Sequence, residues 1–152
     1  LADHRRILRR LCAQHGGDEV RTTGDGYFAV FDDAAAAVEA AVDAQLALRS
    51  NDWPTGCEIA VRMGLHTGEA EVDTEDLNGV AIHAAARVCA AAHGGQIVVS
   101  AITASAAPGR KYKSLGAFPL KASRARWSCR RSSTPICRTT FPRRTSQRIR
   151  IR

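Results

Sequence analysis

The chain has 152 residues, 45% hydrophobic but only 5% aromatic, which suits one domain with a core of Ala, Val, Leu and Ile. Its net charge is +7, yet residues 1–121 hold 12 basic and 15 acidic residues, a net of −3, while residues 122–152 hold 10 Arg and no acid. Basicity confined to one end argues against a nucleic-acid-binding body, and no apolar run reaches the roughly eighteen residues of a membrane span.

Ile7, Leu8, Leu11 and Cys12 recur at helical spacing, and Gly16-Gly17 ends the pattern. Charges interrupt the apolar residues of Leu1 to Gln14, so no signal peptide is expected there. A start at Leu1, already in helix-like sequence, leads us to expect a missing beginning. Asp18 to Thr23 and Tyr27 to Phe31 are β-compatible and flank a Gly24-Asp25-Gly26 turn, which predicts a hairpin. Asp32 or Asp33 then caps a helix to about Ser50, with Val38, Val42 and Leu46 as its buried stripe.

Glu58 to Val72 alternates Ile59, Val61, Met63, Leu65 and Thr67 with Glu58, Ala60, Arg62, Gly64 and His66. That alternation predicts a strand with one core face and one small, polar face that tolerates close approach. An acidic loop from Asp73 to Asp76 leads into an Ala-rich helix from about Asn78 to His93, stopped by Gly94-Gly95. Gln96 to Ser100 reads as a buried strand, Ile102 to Ala107 as a short helical turn, and Lys111 to Lys121 as part of one more strand pair. The order α-β-β-α-β-α-β-α-β predicts an α+β sheet with helices on one face.

Beyond Lys121 the apolar period vanishes, and Arg, Ser and Thr dominate. The expectation is a domain over residues 1–121 and a disordered tail over 122–152. Shifting the frame by one base, with G/C-rich codons, permits a reading of balanced charge there, so the tail is expected to be a frameshift product. Cys12, Cys57, Cys89, Cys129 and Cys137 form no CxxC pair and are odd in number, which favours reduced thiols.

Four stretches carry a family resemblance: RTTGDGYFAVF from Arg21, VRMGLHTGEAE from Val61, DLNGVAIHAAAR from Asp76 and AHGGQIVVS from Ala92. Their order and spacing resemble the bacterial form of the class III adenylate/guanylate cyclase catalytic domain. The resemblance implies a ferredoxin-like, palm-type α+β fold with its first strand missing here. It also implies a reaction in which the ribose 3′-hydroxyl of ATP, less readily GTP, attacks the α-phosphate and pyrophosphate leaves. Two Mg2+ or Mn2+ ions would stabilise the attacking and leaving oxygens. The site would form between two such domains, in a homodimer or heterodimer, in a cytoplasmic signalling protein with no membrane or specific nucleic-acid partner.

Residue by residue, the resemblance makes Asp25 a metal ligand, although Asp-Gly is also an ordinary turn pair. The family's other metal aspartate would lie upstream of Leu1. Arg21 takes the place of a base-reading Lys, and Asp76 that of its acidic partner; as plain residues both are solvated charges. An acid and a cation together can read adenine's 6-amino donor and N1 acceptor. Arg87 matches the arginine that meets transition-state charge on the phosphate. His83, four residues earlier on the same helix face, stands where the family has a ribose-orienting Asn; alone it reads as a surface His. Lys121 matches a triphosphate-contacting Lys. His66 and Thr67 match a G-x-H-x-G strand and read as packing or dimer-interface residues. With one carboxylate absent, His83 in place of Asn and an aberrant last strand, little or no turnover is expected of this chain as a homodimer. The alternative is an inactive nucleotide-binding or dimerisation module.

Overall fold

The computed structural model describes residues 2–23, 26–54, 59–69, 80–119, 126–132 and 146–151. Four helices and seven strands follow one another as α1 Ala2–Gln14, β1 Gly17–Thr23, β2 Gly26–Phe31, α2 Ala34–Ser50, β3 Arg62–Leu65, α3 Val80–Ala90, β4 Ile97–Ser100, α4 Ala101–Ala106, β5 Tyr112–Pro119, β6 Arg126–Ser132 and β7 Ser146–Ile151. They build one mixed sheet in the order β1-β2-β7-β3-β4-β6-β5.

The apolar stripe of α1 buries Ile7, Leu8, Leu11 and Cys12, and Gly16 leaves the helix at φ 74°, a left-handed conformation that glycine adopts without steric cost. The chain turns at once into β1, which pairs antiparallel with β2 up to Thr23↔Gly26. The predicted hairpin is therefore present. Asp33 caps α2, its carboxylate accepting from the Ala36 N–H at 2.8 Å. Val38 and Val42 are buried as expected, but Leu46 is 46% exposed. The buried face runs instead through Ala37, Ala41, Ala44, Gln45 and Leu48. Gln45 satisfies its buried amide by donating to the Val61 carbonyl at 2.7 Å, which ties α2 to the approach to β3.

Within the strand expected from Glu58 to Val72, β3 covers only Arg62–Leu65 among the described residues; positions 58 and 70–72 lie outside them. Its partners limit it, since β4 pairs with it only over Met63–Leu65 and β7 only over Arg62–Gly64, both in parallel. The helix expected from Asn78 to His93 is observed as Val80–Ala90. Residues 78–79 lie outside the described residues.

The α+β class stands, but the helices, expected on one face, cover both. Met63, Leu65, Ile97 and Val99 face a core shared with α1, α2 and α4. Val98, between Ile97 and Val99, turns the other way and packs with Val88 and Ala92 of the α3 segment. Alternation along a strand makes these opposite faces. Phe31, Leu8, Leu48, Met63 and Leu65 are the largest fully buried apolar side chains of the main core, each worth about 1.5–3 kcal/mol of burial.

Two stretches of the segment expected to be disordered pair in the sheet. β6 lies antiparallel between β4 and β5. β7 lies parallel to both β2 and β3 and separates them. In β5 the register shifts between Ser114 and Gly116, whose φ is 88°, and Leu115 at that bulge packs against the Val88, Ala92 and Val98 cluster. Among the described residues no helix is long and apolar enough to cross a membrane. Cys12 and Cys89 are buried and in no disulfide, and burial pushes the Cys12 thiol up to about 11.

Arg110, beyond α4, pairs with Glu39 of α2, its Nε and Nη2 donating from one guanidinium edge to the two carboxylate oxygens. That hydrogen bond holds the Glu39 carboxyl below its ordinary 4.5. An unfolded chain therefore takes up this proton first as pH falls. The pair's stabilisation is present above about pH 4.5 and is lost as pH drops through the folded value. Both side chains are about a third or more exposed, so the effect is small. Urea midpoints measured between about pH 3 and pH 6 should fall with acid less steeply in Glu39→Gln than in the wild type. Parallel curves would contradict the assignment.

Candidate functional site

The face of β3 turned away from the main core carries Arg62 and Gly64. A Cβ added at Gly64 would lie 2.2 Å from the backbone nitrogen of Cys89 and 2.3 Å from its Cα. No side chain fits there, so glycine lets the α3 backbone lie directly on the strand. The Cys89 thiol completes the contact by donating to the Arg62 carbonyl at 3.7 Å. A second close approach follows at Gly68, where a Cβ would meet the Ala81 methyl at 2.9 Å. β3 and the segment just after it thus approach α3 closely near both of its ends.

With Ala81, Ala84, Ala85, Val88 and Cys89 buried, the opposite side of α3 must face outward. His83 stands there exposed, and Arg87 is half-buried one turn later. The helix brings these two predicted residues together on one face. Arg87 also lies in the last turn, where a cation complements the helix dipole.

The remaining predicted residues are placed less fully. Arg21 lies on β1, its backbone opposite Phe28, directly after a register shift that leaves Val20 as the extra residue. Asp25 falls in the two-residue connection between Thr23 and Gly26 and lies outside the described residues, as do Asp76 and Lys121. Among the described residues no group of three or more metal-ligating side chains occurs. A carboxylate at Asp25 has the oxygen chemistry that a hard divalent ion takes, which fits the expected Mg2+ or Mn2+.

Sequence reasoning missed one cluster. His66, 3% exposed, places Nδ1 at 3.0 Å from the Ser100 hydroxyl. Ser100 in turn lies 2.9 Å from the Thr103 hydroxyl, and the Thr67 hydroxyl donates to Thr103 at 3.1 Å. The signal was present in Ser100, a helix-capping residue directly ahead of a short helical run.

The profile of the adenylate and guanylate cyclase catalytic domain matches residues 1–129, running past Lys121. A receptor-type adenylate cyclase of Trypanosoma congolense is 30% identical over 145 residues, covering 68% of this chain and 20% of that protein. An uncharacterized protein of Mycobacterium tuberculosis is 37% identical over 110 residues, covering 71% and 35%. The chain therefore spans a fifth to about a third of the lengths of these relatives. Among solved structures, an adenylate/guanylate cyclase/hydrolase from Silicibacter pomeroyi superposes with a TM-score of 0.72 at 28% identity, over 87% of this chain and 81% of that one. A Trypanosoma brucei adenylate cyclase in its monomeric state superposes at 0.75 with 21% identity, over 92% and 80%, which is a likeness of fold alone.

Gly64→Ala should lower stability by about 1–3 kcal/mol in urea unfolding, because α3 must lift from β3. Gly109→Ala, with nothing within 4 Å of the added carbon, should be close to neutral. Equal effects would refute the close-contact account.

Proposed function

The chain belongs to the adenylate and guanylate cyclase catalytic domain family, and on that footing we propose that it binds ATP, in preference to GTP, as a cyclase-type domain of a cytoplasmic signalling protein. The observation that carries the reading is α3, clamped on β3 and presenting His83 and Arg87 on one outward face. A guanidinium there suits a phosphoryl group gaining negative charge. Arg21 and Asp76 supply the cation and the acid that can read adenine's edge, and Lys121 adds a charge for the triphosphate. Asp25 holds a divalent ion, which when bound stabilises charge on the attacking and leaving oxygens.

The reaction of this reading joins the ribose 3′-oxygen to the α-phosphorus, breaks the bond from that phosphorus to the bridging oxygen, and releases pyrophosphate, with the hydroxyl proton passing to the departing pyrophosphate or to solvent. Arg87 meets the charge that develops on the phosphate, and His83 contacts the ribose. A second domain, in a homodimer or heterodimer, completes the cleft. Turnover by this chain alone should be low, because an imidazole replaces the family's Asn at position 83 and its hydrogen bonding depends on tautomer. That substitution also favours a second reading, a module that binds nucleotide without chemistry.

Incubation with Mn2+ and ATP, with cyclic AMP as the readout, separates the two. The first reading expects a slow rate that rises in His83→Asn and falls about a hundredfold in Arg87→Ala, as for other lost contacts to developing charge. ATP binding with no product, even beside an intact partner domain, favours the second. An absence of both binding and product rejects both.

A further inference from the structure

Buried His66, Ser100 and Thr103 form with half-buried Thr67 a connected polar cluster that the chemistry proposed above does not use. Each hydroxyl has one proton to give. The Thr103 hydroxyl donates to the Leu65 carbonyl at 3.5 Å and accepts from Thr67. Ser100 accepts from the Thr103 backbone N–H at 3.3 Å and shares a hydrogen bond with the Thr103 hydroxyl. If His66 carries its proton on Nδ1, it donates to Ser100, Ser100 donates to Thr103, and Thr103 donates to Leu65. Every contact is then satisfied. With the proton on Nε2 instead, Ser100 must donate to His66, and Thr103 has one proton for two acceptors. The network therefore selects the Nδ1–H tautomer, assigned here from its partners.

The other edge of the ring faces α3. A Cβ at Gly68 would lie 3.2 Å from His66 Nε2 and 2.9 Å from the Ala81 methyl, so glycine alone separates the imidazole from the first turn of that helix. The ring is held on one side by the β4–α4 junction, and on the other Gly68 stands next to both its Nε2 and the start of α3. We infer that His66, fixed by Ser100, Thr103 and Thr67, is a positioning residue that sets where α3 places His83 and Arg87, and so tunes nucleotide binding. This role rests on the nucleotide-binding reading proposed above.

The test compares variants that are folded at the temperature of measurement. Thr103→Val and Ser100→Ala each remove a hydroxyl, whereas Thr103→Ser keeps it. Leu8→Ala destabilises α1, which takes no part in the cluster. ATP binding should weaken about tenfold in Thr103→Val and Ser100→Ala, equivalent to about 1.4 kcal/mol, and stay within about twofold of wild type in Thr103→Ser and Leu8→Ala. Wild-type affinity in both hydroxyl deletions, or an equal loss in Leu8→Ala, overturns the proposal. A wild-type chain that binds no ATP defeats the functional reading instead. The positioning claim is then decided by hydrogen exchange in α3, which should quicken in Ser100→Ala but not in Leu8→Ala; equal rates overturn it.

Discussion

The absence of a side chain at residue 64 governs the geometry of this molecule. A single methyl there would collide with the backbone of Cys89, so the strand and helix meet at a distance that no other residue permits. From that contact follows the burial of α3's alanines, and from their burial the outward placing of His83 and Arg87. The sheet is consequently covered on both faces. Larger α1 and α2 cover the face of Met63 and Leu65, and α3 covers the face of Gly64 and Val98. Residues on the outward face of a helix pinned this closely keep a fixed position against the strands, which the proposed phosphoryl transfer would require.

The sheet's centre depends on contacts that are far apart in sequence. β2 and β3 are joined through α2, yet β7 lies between them, more than eighty residues after β3. Folding must therefore close long loops before the central strands acquire all their hydrogen bonds. Of the buried side chains of β2 and β3, Tyr27, Ala29, Phe31, Met63 and Leu65 belong to the main core. The short ladder of β3 is supported on its other side by β4 and by the carbonyl of Gln96, which accepts from the Met63 N–H at 2.8 Å.

Much of this was legible in the residues. The stripe of Ile7, Leu8, Leu11 and Cys12, the Asp33 cap and the hairpin closed by Thr23 and Gly26 all follow from local rules that tertiary packing did not override. The phase of α2 was not legible, because alanines occupy so many of its positions that no single stripe stands out; Leu46 proved exposed while Gln45 was buried. The two-sided covering of the sheet was hidden for a related reason. Gly64 and His66 read as a small, polar face, and neither announces that a helix lies against it. At the site, the spacing of His83 and Arg87 on one helix was sufficient, since helical geometry alone puts them together. Asp25, Asp76 and Lys121 rest on motif matches, and their geometry lies outside the described residues. The capping role of Ser100 was legible locally, whereas its hydrogen bond to His66, distant in sequence, needed the fold.

The account stands most directly on where a nucleotide touches the protein. Backbone amide resonances followed during titration with ATP and Mg2+ report this without requiring turnover. Shifts should concentrate on the start of β2 next to Asp25 and on the outward face of α3 around His83 and Arg87. Shifts confined to α1 and α2 on the opposite face, or none at all, would contradict it.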